Sequence, residues 1–207
     1  MGLQVEGTAE STSLTSVLCD SPQVIFAVGV VSKELTAALI ALAKARLQSA
    51  LVSAIGGGIV SEGRKCEVTW FTHSENAVIE EIVDLMASVS GLESHRAERL
   101  QVIRYSQGGE YKAHFDGYDL DSERGRQCTS RRGQRTHTSI LYLNDDFRGG
   151  ATQFPRLSLE ILPRDGAVLS FENCVHESSV RHENSLHVGS PVESGEKWIA
   201  TLWFRER

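Results

Sequence analysis

Two segments in the first half of the chain space their apolar residues as amphipathic helices do. The first, SKELTAALIALAKARLQSA over residues 32–50, begins with Ser32 as a predicted N-cap. The second, SENAVIEEIVDLMASVSG over residues 74–91, begins with Ser74 as a predicted cap and ends at Gly91, a residue typical of helix ends. The predicted buried faces comprise Leu35, Leu39, Leu42 and Leu47, then Val78, Ile82, Val83, Met86 and Val89. The pattern therefore predicts two supporting helices.

The pattern changes after the second helix to short β-prone segments separated by turn signals. These segments occupy residues 99–105, 110–116, 137–144, 151–155, 158–163, 167–171, 185–192 and 197–204. Strands that follow helices in this way predict an α+β fold with a jelly-roll core, also called a double-stranded β-helix, of about eight strands. The glycine-rich stretch at 55–63 lacks a phosphate-loop motif and is interpreted as a hairpin or flexible loop.

Length and charge place these elements in one ordinary domain. The 207 residues predict a single domain over 23–207, and residues 1–22, which show no period, predict a flexible arm or an edge segment. Neither a signal peptide nor a membrane-spanning run is visible, so we expect a cytoplasmic protein without a membrane partner. The net charge of -6 with one short basic segment, interpreted as a loop over 124–135, argues against a nucleic-acid partner.

A histidine and an aspartate lie two residues apart in one predicted strand. Side chains at this spacing point to the same face, so His114 and Asp116 are candidate metal ligands, although a chance pair facing solvent would look the same. His187 lies in a later strand-like segment and is the candidate third ligand. Two histidines and one carboxylate are the facial triad that leaves iron(II) with open coordination positions.

The last predicted strand begins with a lysine. By period two, Lys197 shares a face with Ile199, Thr201 and Trp203. A buried ammonium is costly unless it is paired, and a bound carboxylate would pair it. The alternative is that Lys197 merely lies at the solvent-exposed end of the strand. Together the residues predict a metal site beside an anchor for an acidic co-substrate.

Four blocks in this order resemble the non-haem iron(II), 2-oxoglutarate-dependent oxygenases, and within them the prolyl 4-hydroxylase branch. The blocks, which lie between about residue 30 and residue 207, are GRKCEVTWF, LQVIRYSQGGEYKAHFD, GQRTHTSILYLNDDFRGGATQFP and SLHVGSPVESGEKWIATLWF. The resemblance implies iron(II) bound by His114, Asp116 and His187, and 2-oxoglutarate paired with Lys197. It further implies that Tyr105 and Thr138 help to hold the co-substrate carboxylate.

The resemblance also implies a substrate side of the site, and here the chain departs from the family pattern. Tyr111 and Trp203 match positions near the substrate, and Arg64 and Arg205 are further candidates. Arg64 matches the arginine of the family's Arg-Thr-Ser motif, whose other two residues differ in this chain. Arg205 occupies the position at which plant-type collagen hydroxylases carry histidine. The basic segment 124–135 corresponds to a mobile substrate loop of the family, and we expect it to close over the substrate.

The implied activity is hydroxylation of a C–H bond with O2, with release of succinate and CO2 and with ascorbate as reductant. Proline in a peptide or protein is the expected substrate, and a free amino acid or another small molecule is the alternative. A jelly-roll binding protein without turnover is a third reading, disfavoured because a pure binder has no need of the triad and Lys197. Nucleic-acid demethylation is disfavoured because that branch anchors its co-substrate with arginine. The oligomeric state is not predicted.

Overall fold

The protein was analysed as a computed structural model that describes the backbone of residues 13–49, 51–54, 57–60 and 65–207. Side chains are described for residues 13–49 and 65–207. The predicted substrate residue Arg64 therefore lies outside the described residues. No helix in the described part of the chain is long and apolar enough to cross a membrane.

The described residues form helices α1 (Lys33–Lys44), α2 (Ala77–Ser90) and α3 (Glu123–Thr129). The Ser32 side chain caps α1 by accepting from the Leu35 N–H, as predicted, and Gly91 ends α2 in the left-handed conformation. The predicted cap of α2 was wrong by two residues. Asn76 accepts from the Val78 N–H instead, because Ser74 lies in a short 3-10 turn that precedes the helix.

The described strands assemble chiefly into two antiparallel sheets. The large sheet has the order β1 (Leu14–Asp20), β2 (Gln23–Val28), β13 (Val168–Glu172), β9 (Arg135–Tyr142), β16 (Lys197–Arg205), β7 (Leu100–Tyr105), β6 (Glu67–Phe71) and β3 (Gln48–Ser49). The small sheet has the order β12 (Leu159–Ile161), β11 (Thr152–Phe154), β14 (His187–Gly189) and β8 (Tyr111–His114). Two further pairs are β10 (Arg148–Gly149) with β15 (Val192–Ser194), and β4 (Leu51–Ala54) with β5 (Gly57–Val60).

Each face of the large sheet packs against a different layer. One face meets α1 and α2 in an apolar core that contains Leu39, Ile82, Met86, Leu141 and Leu202. The other face meets the small sheet, where the Phe154 and Phe171 rings pack edge to face at 5.0 Å. Alternate residues of each central strand thus enter separate cores, as period two requires. The predicted α+β jelly roll with supporting helices is confirmed.

Two local expectations need correction, and a third agrees with the structure. Residues 14–20 form β1, the edge strand of the large sheet, so that this part of the predicted arm is the edge segment rather than flexible chain. The basic segment predicted as a loop contains α3, whose cap is Ser122 accepting from the Gly125 N–H. The glycine-rich stretch follows β4 and contains β5, and the two strands are paired, in agreement with the hairpin interpretation for the residues described there.

Candidate active site

Two neighbouring strands of the small sheet bring three candidate metal ligands together. His114 ends β8 and His187 begins β14, and the two residues are direct partners in the β8–β14 pairing. Asp116 follows two residues after His114. Its carboxylate oxygens lie 3.7 Å from His114 Nε2 and 3.6 Å from His187 Nε2. One donor atom from each residue fits within 4.8 Å of the others, which is the compactness that a single metal ion requires.

Backbone carbonyls fix the orientation of both imidazoles. His114 Nδ1 lies 2.8 Å from the carbonyl oxygen of Lys112, and His187 Nδ1 lies 3.0 Å from that of Ser185. A carbonyl only accepts, so Nδ1 of each neutral ring carries the proton, and Nε2 keeps the lone pair that binds metal. Tyr111 stacks on the His114 ring with a centroid distance of 3.5 Å, which further restricts that ring.

A buried hydrogen-bond chain holds the carboxylate of Asp116. Thr138 Oγ1 donates to Asp116 Oδ2 at 2.8 Å, and Asn173 Nδ2 donates to Thr138 Oγ1 at 2.8 Å. Burial alone would raise the pKa of Asp116, but His187, His114 and Arg135 lower it to about 2. The carboxylate is therefore ionised and oriented, as a metal ligand must be.

Lys197 lies buried in the same cavity, at the start of β16. Its Nζ donates to the carbonyl oxygen of Gly150 at 2.6 Å and lies 5.6 Å and 5.7 Å from the ring centroids of Tyr105 and Tyr142. Burial lowers the pKa of Lys197 to about 7. Among the residues that the structure describes, no carboxylate forms an ion pair with this group. When Lys197 is protonated, a ligand carboxylate could therefore supply its counter-charge.

One cavity contains most of the predicted site residues. It encloses about 420 Å³ including its open mouth, and it is lined by Ile103, Tyr105, Tyr111, His114, Asp116, Ile140, Thr152, His187, Gly189, Lys197, Ile199, Thr201 and Trp203. The predicted shared face of Lys197, Ile199, Thr201 and Trp203 is present, since all four line this cavity. Thr138 lies beneath Asp116 rather than on the wall.

Arg205 does not line this cavity. Its guanidinium is bound to Glu98 Oε1 at 3.2 Å and to the carbonyl oxygen of Cys128 at 2.6 Å. Cys128 lies in α3, so Arg205 ties that helix to the end of β16. The Arg205 guanidinium also lies 5.3 Å from the centroid of the Tyr118 ring, so Arg205 contacts that ring as well as α3.

Sequence reasoning missed three further residues of the site. Asn173 donates to Thr138 Oγ1 and so supports both Thr138 and Asp116. Arg135 and Glu98 form a paired contact with two hydrogen bonds of 2.7 Å, and the Arg135 guanidinium lies 4.2 Å from the Trp203 ring. The strand period could not have placed Arg135 near Trp203, because Trp203 pairs with Thr138, three residues away, and the register shifts between Phe204 and Arg205. No local signal identifies the role of Asn173 either.

A second recess opens beside the cavity and shares Tyr111, Asp116 and Trp203 with it. On the same measure it encloses about 950 Å³, and its other walls include Trp70, Gln101, Phe115, Gly117, Tyr118, Asp119, Ser122, Arg124, Gly125, Arg135 and Arg181. Part of this wall is the start of α3. A substrate that reaches the metal ligands from this side would contact aromatic rings and arginines.

Comparison with known proteins gives consistent relatives for this arrangement. The sequence model described as the 2OG-Fe(II) oxygenase superfamily matches residues 100–205, a span that contains the triad and Lys197. A crystal structure of a viral collagen prolyl hydroxylase from Paramecium Bursaria Chlorella virus-1, in complex with 2OG, is similar with a TM-score of 0.71 and 30% identity. The match covers 91% of this chain and 98% of that one.

Two curated relatives are longer than this chain. A protein of Acanthamoeba polyphaga mimivirus, named provisionally as a prolyl 4-hydroxylase, is 38% identical over 144 residues, which are 70% of this chain and 59% of the relative. Prolyl 4-hydroxylase subunit alpha-2 of Gallus gallus is 32% identical over 191 residues, which are 91% of this chain and 35% of the relative. The chain thus spans less than two thirds of the length of these relatives.

Proposed function

Since this chain belongs to the 2OG-Fe(II) oxygenase superfamily, we propose that it hydroxylates proline in a peptide or protein, with release of succinate and CO2. The observation that carries the proposal is the combination in one cavity of an ordered His-Asp-His cluster with a buried lysine that lacks a described carboxylate partner. The prolyl hydroxylase names of the relatives support proline as the site of reaction.

The residues present fit an iron(II) ion. His114, Asp116 and His187 offer two neutral imidazole nitrogens and one ionised carboxylate, the ligand set that leaves adjacent coordination positions for other molecules. When bound, iron and 2-oxoglutarate supply the activation of O2, which places one oxygen atom on the substrate and the other in succinate. The protein supplies binding, orientation and the exclusion of water.

The far carboxylate of 2-oxoglutarate has its anchor in Lys197. A carboxylate beside Nζ offsets the cost of burying the ammonium, and the Tyr105 ring packs against the same group. In this proposal Thr138 acts on Asp116 rather than on the co-substrate, because its hydroxyl proton is donated to Asp116 Oδ2. Asn173 keeps that hydroxyl in the donating orientation, since its own N–H occupies the lone pair of Thr138 Oγ1.

Tyr111 and Trp203 form the passage from the second recess to the triad, since both line the cavity and the recess. Tyr111 stacks on His114, and Trp203 is held by the guanidinium of Arg135. The two rings are therefore fixed before a substrate arrives. Rigid aromatic walls suit the apolar pyrrolidine ring of proline and exclude water from the reacting carbon.

The expected compartment is cytoplasmic. Cys19, Cys128 and Cys174 form no disulfide in the described part of the chain, which supports a reducing environment. Burial raises the pKa of the Cys174 thiol to about 12, so that this thiol is unreactive at neutral pH.

Mass spectrometry tests the activity directly. The protein is incubated with iron(II), 2-oxoglutarate and ascorbate, together with a panel of proline-rich peptides and a panel of free amino acids. We expect a gain of one oxygen on proline within a peptide, and loss of that gain in His187→Ala but not in the matched variant His176→Ala, whose imidazole is exposed. Oxygen gained only by a free amino acid would replace the peptide reading with small-molecule metabolism, and no gain with any substrate would contradict the proposal.

A further inference from the structure

The second recess concentrates arginines next to the metal ligands. Arg124, Arg135 and Arg181 all line it, together with the carboxylates of Asp116 and Asp119. Two of these charges already have a role within the protein. Asp116 belongs to the metal site, and Arg135 is neutralised by its two hydrogen bonds to Glu98. The remaining charged side chains of the recess wall are Arg124, Arg181 and Asp119, so the recess carries a surplus of positive charge.

Arg181 is held in place by an aromatic ring rather than by an acid. Its guanidinium lies 4.0 Å from the centroid of the Phe115 ring, and Phe115 stands between the ligands His114 and Asp116 in the chain. The contact fixes the guanidinium beside the entrance to the triad.

The hydrogen-bonding capacity of Arg181 is largely unused. Its Nε is buried, and among the residues that the structure describes it has no hydrogen-bond partner. The nearest acid is Glu183, whose Oε1 is 3.9 Å from Arg181 Nη2, beyond hydrogen-bond distance, while Glu183 Oε2 is bound to Arg156. A buried donor without an acceptor is costly, and a planar guanidinium with spare donors matches a carboxylate.

We propose that Arg181 binds a carboxylate of the substrate that lies close to the proline to be hydroxylated. The inference rests on the proposed function and narrows its substrate class to acidic sequences. Arg124 on α3 also lines the recess and adds long-range attraction. A carboxylate here would pair with the exposed part of the Arg181 guanidinium and balance the surplus positive charge.

The carboxylate has two chemical sources. It is either the side chain of an aspartate or glutamate near the proline, or the terminal carboxylate of a peptide or amino acid that ends near the proline. Two sets of short peptides distinguish them. One set is amidated at the C-terminus and carries Asp or Asn at each position that flanks a single proline. The other set ends one or two residues after the proline as a free acid or as an amide.

The experiment compares kcat/KM for each acidic peptide with its neutral partner in the wild type and in Arg181→Gln. Because a hydrogen bond to a charged group in a half-buried setting contributes about 1.5–3 kcal/mol, the wild type should favour the acidic member by about tenfold or more. Arg181→Gln should lose most of this preference. Fluorescence anisotropy of a labelled acidic peptide should show the same loss in affinity, independently of turnover.

Arg156→Gln is the matched control. Arg156 also faces the Phe115 ring, at 5.7 Å, and shares Glu183, but it does not line the recess. We expect this variant to keep the wild-type preference. Arg181→Glu supplies the reverse test, because it should favour a peptide with lysine in place of aspartate, a change that a purely structural role of Arg181 cannot produce.

The outcomes separate this inference from the proposed function. Hydroxylation of proline peptides at equal kcat/KM for acidic and neutral members would overturn the role of Arg181 and leave the proposed function intact. A uniform loss for all peptides in Arg181→Gln would make Arg181 merely structural. If no proline peptide is hydroxylated or bound, the proposed function fails and the inference fails with it.

Discussion

The two faces of β16 carry opposite kinds of side chain, although they belong to one strand. Trp198, Ala200, Leu202 and Phe204 enter the apolar core against the helices. Lys197, Ile199, Thr201 and Trp203 line the cavity. Both sets are buried, so burial alone does not identify a site. The cavity face differs because it buries the amine of Lys197 and the hydroxyl of Thr201. Burial of such polar groups lowers the stability of the fold unless a partner satisfies them.

The largest expected effect on the cavity side comes from Asp116→Ala. The variant removes the carboxylate of the cluster, so we expect hydroxylation to fall below detection and the iron content of the purified protein to drop. Peptide mass spectrometry and metal analysis measure the two quantities. Asp121→Ala, an exposed aspartate nearby in the chain, is the control and should keep both. Wild-type turnover by Asp116→Ala would show that the ligand assignment is wrong.

The helix-facing side should respond in stability instead. Leu202→Ala leaves a cavity in the apolar core, so the free energy of unfolding should fall by about 2–5 kcal/mol while turnover per folded molecule is kept. Chemical denaturation measures the first quantity. Leu162→Ala, whose side chain is 64% exposed, should change the free energy of unfolding by no more than about 0.5 kcal/mol. Equal costs for the two variants would contradict the assignment of Leu202 to the core.

A smaller effect is expected from Thr138→Val, which preserves shape but removes the donor to Asp116. Loss of such a supporting hydrogen bond should weaken iron binding by about 10–100-fold. Ser139→Ala is the matched control, since Ser139 is the next residue of β9 and is bonded to Ser170 rather than to the metal cluster. Titration of iron(II) against a competing chelator compares them. Unchanged affinity in Thr138→Val would remove Thr138 from the site.

The smallest expected effect concerns the protonation state of Lys197. Because burial lowers the pKa of Lys197 to about 7, most of these lysines are neutral at pH 8.5 before 2-oxoglutarate binds. A bound carboxylate raises this pKa again, so binding at pH 8.5 should take up about one proton, and binding at pH 5.5 should take up none. Calorimetry of the iron-loaded protein in buffers of different ionisation enthalpy measures the uptake.

Lys197→Met controls for the other groups in that cavity. The hydroxyls of Tyr105 and Tyr142 and the residues His114, Asp116 and His187 are common to both proteins, so the difference in proton uptake belongs to Lys197. In the absence of 2-oxoglutarate, burial of the charged Lys197 ammonium also lowers the free energy of unfolding. The cost is full below about pH 7, where the folded protein carries the buried charge, and it diminishes as the pH rises from about 7 towards 10.5. Equal proton uptake by the two proteins would contradict the anchor role.

The period of β16 allowed the cavity face to be predicted from sequence, because alternation is a local property of a strand. His114 lies in β8 as predicted, but Asp116 lies two residues beyond the end of that strand, so the prediction that both share one strand was wrong although the pair was identified. His187 followed from its strand-like context. The confirmed parts of the fold, namely the helices, the glycine stop of α2 and the later strands, also rest on local patterns. Their assembly into a jelly roll was inferred from the number and order of strands.

The rest depends on contacts between residues distant in sequence. Asn173 reaches Thr138 from the neighbouring strand, and Glu98 reaches Arg135 and Arg205 from a segment before β7. No sequence pattern near these residues predicts such partners. The helix α3 was missed because its charges resemble those of a solvated loop, while the Ser122 cap and the Arg205 bond to the Cys128 carbonyl support it.

The pairing of His114 with His187 has a consequence for the order in which parts of the protein unfold locally. The strands of the small sheet are only three or four residues long and contribute few ladder hydrogen bonds, whereas the large sheet is backed by two helices. An ion shared by β8 and β14 acts as a cross-link between these short strands and is coupled to their folding by mass action. Removal of the ion should therefore increase amide hydrogen exchange first in the small sheet, while the helix-backed sheet stays protected.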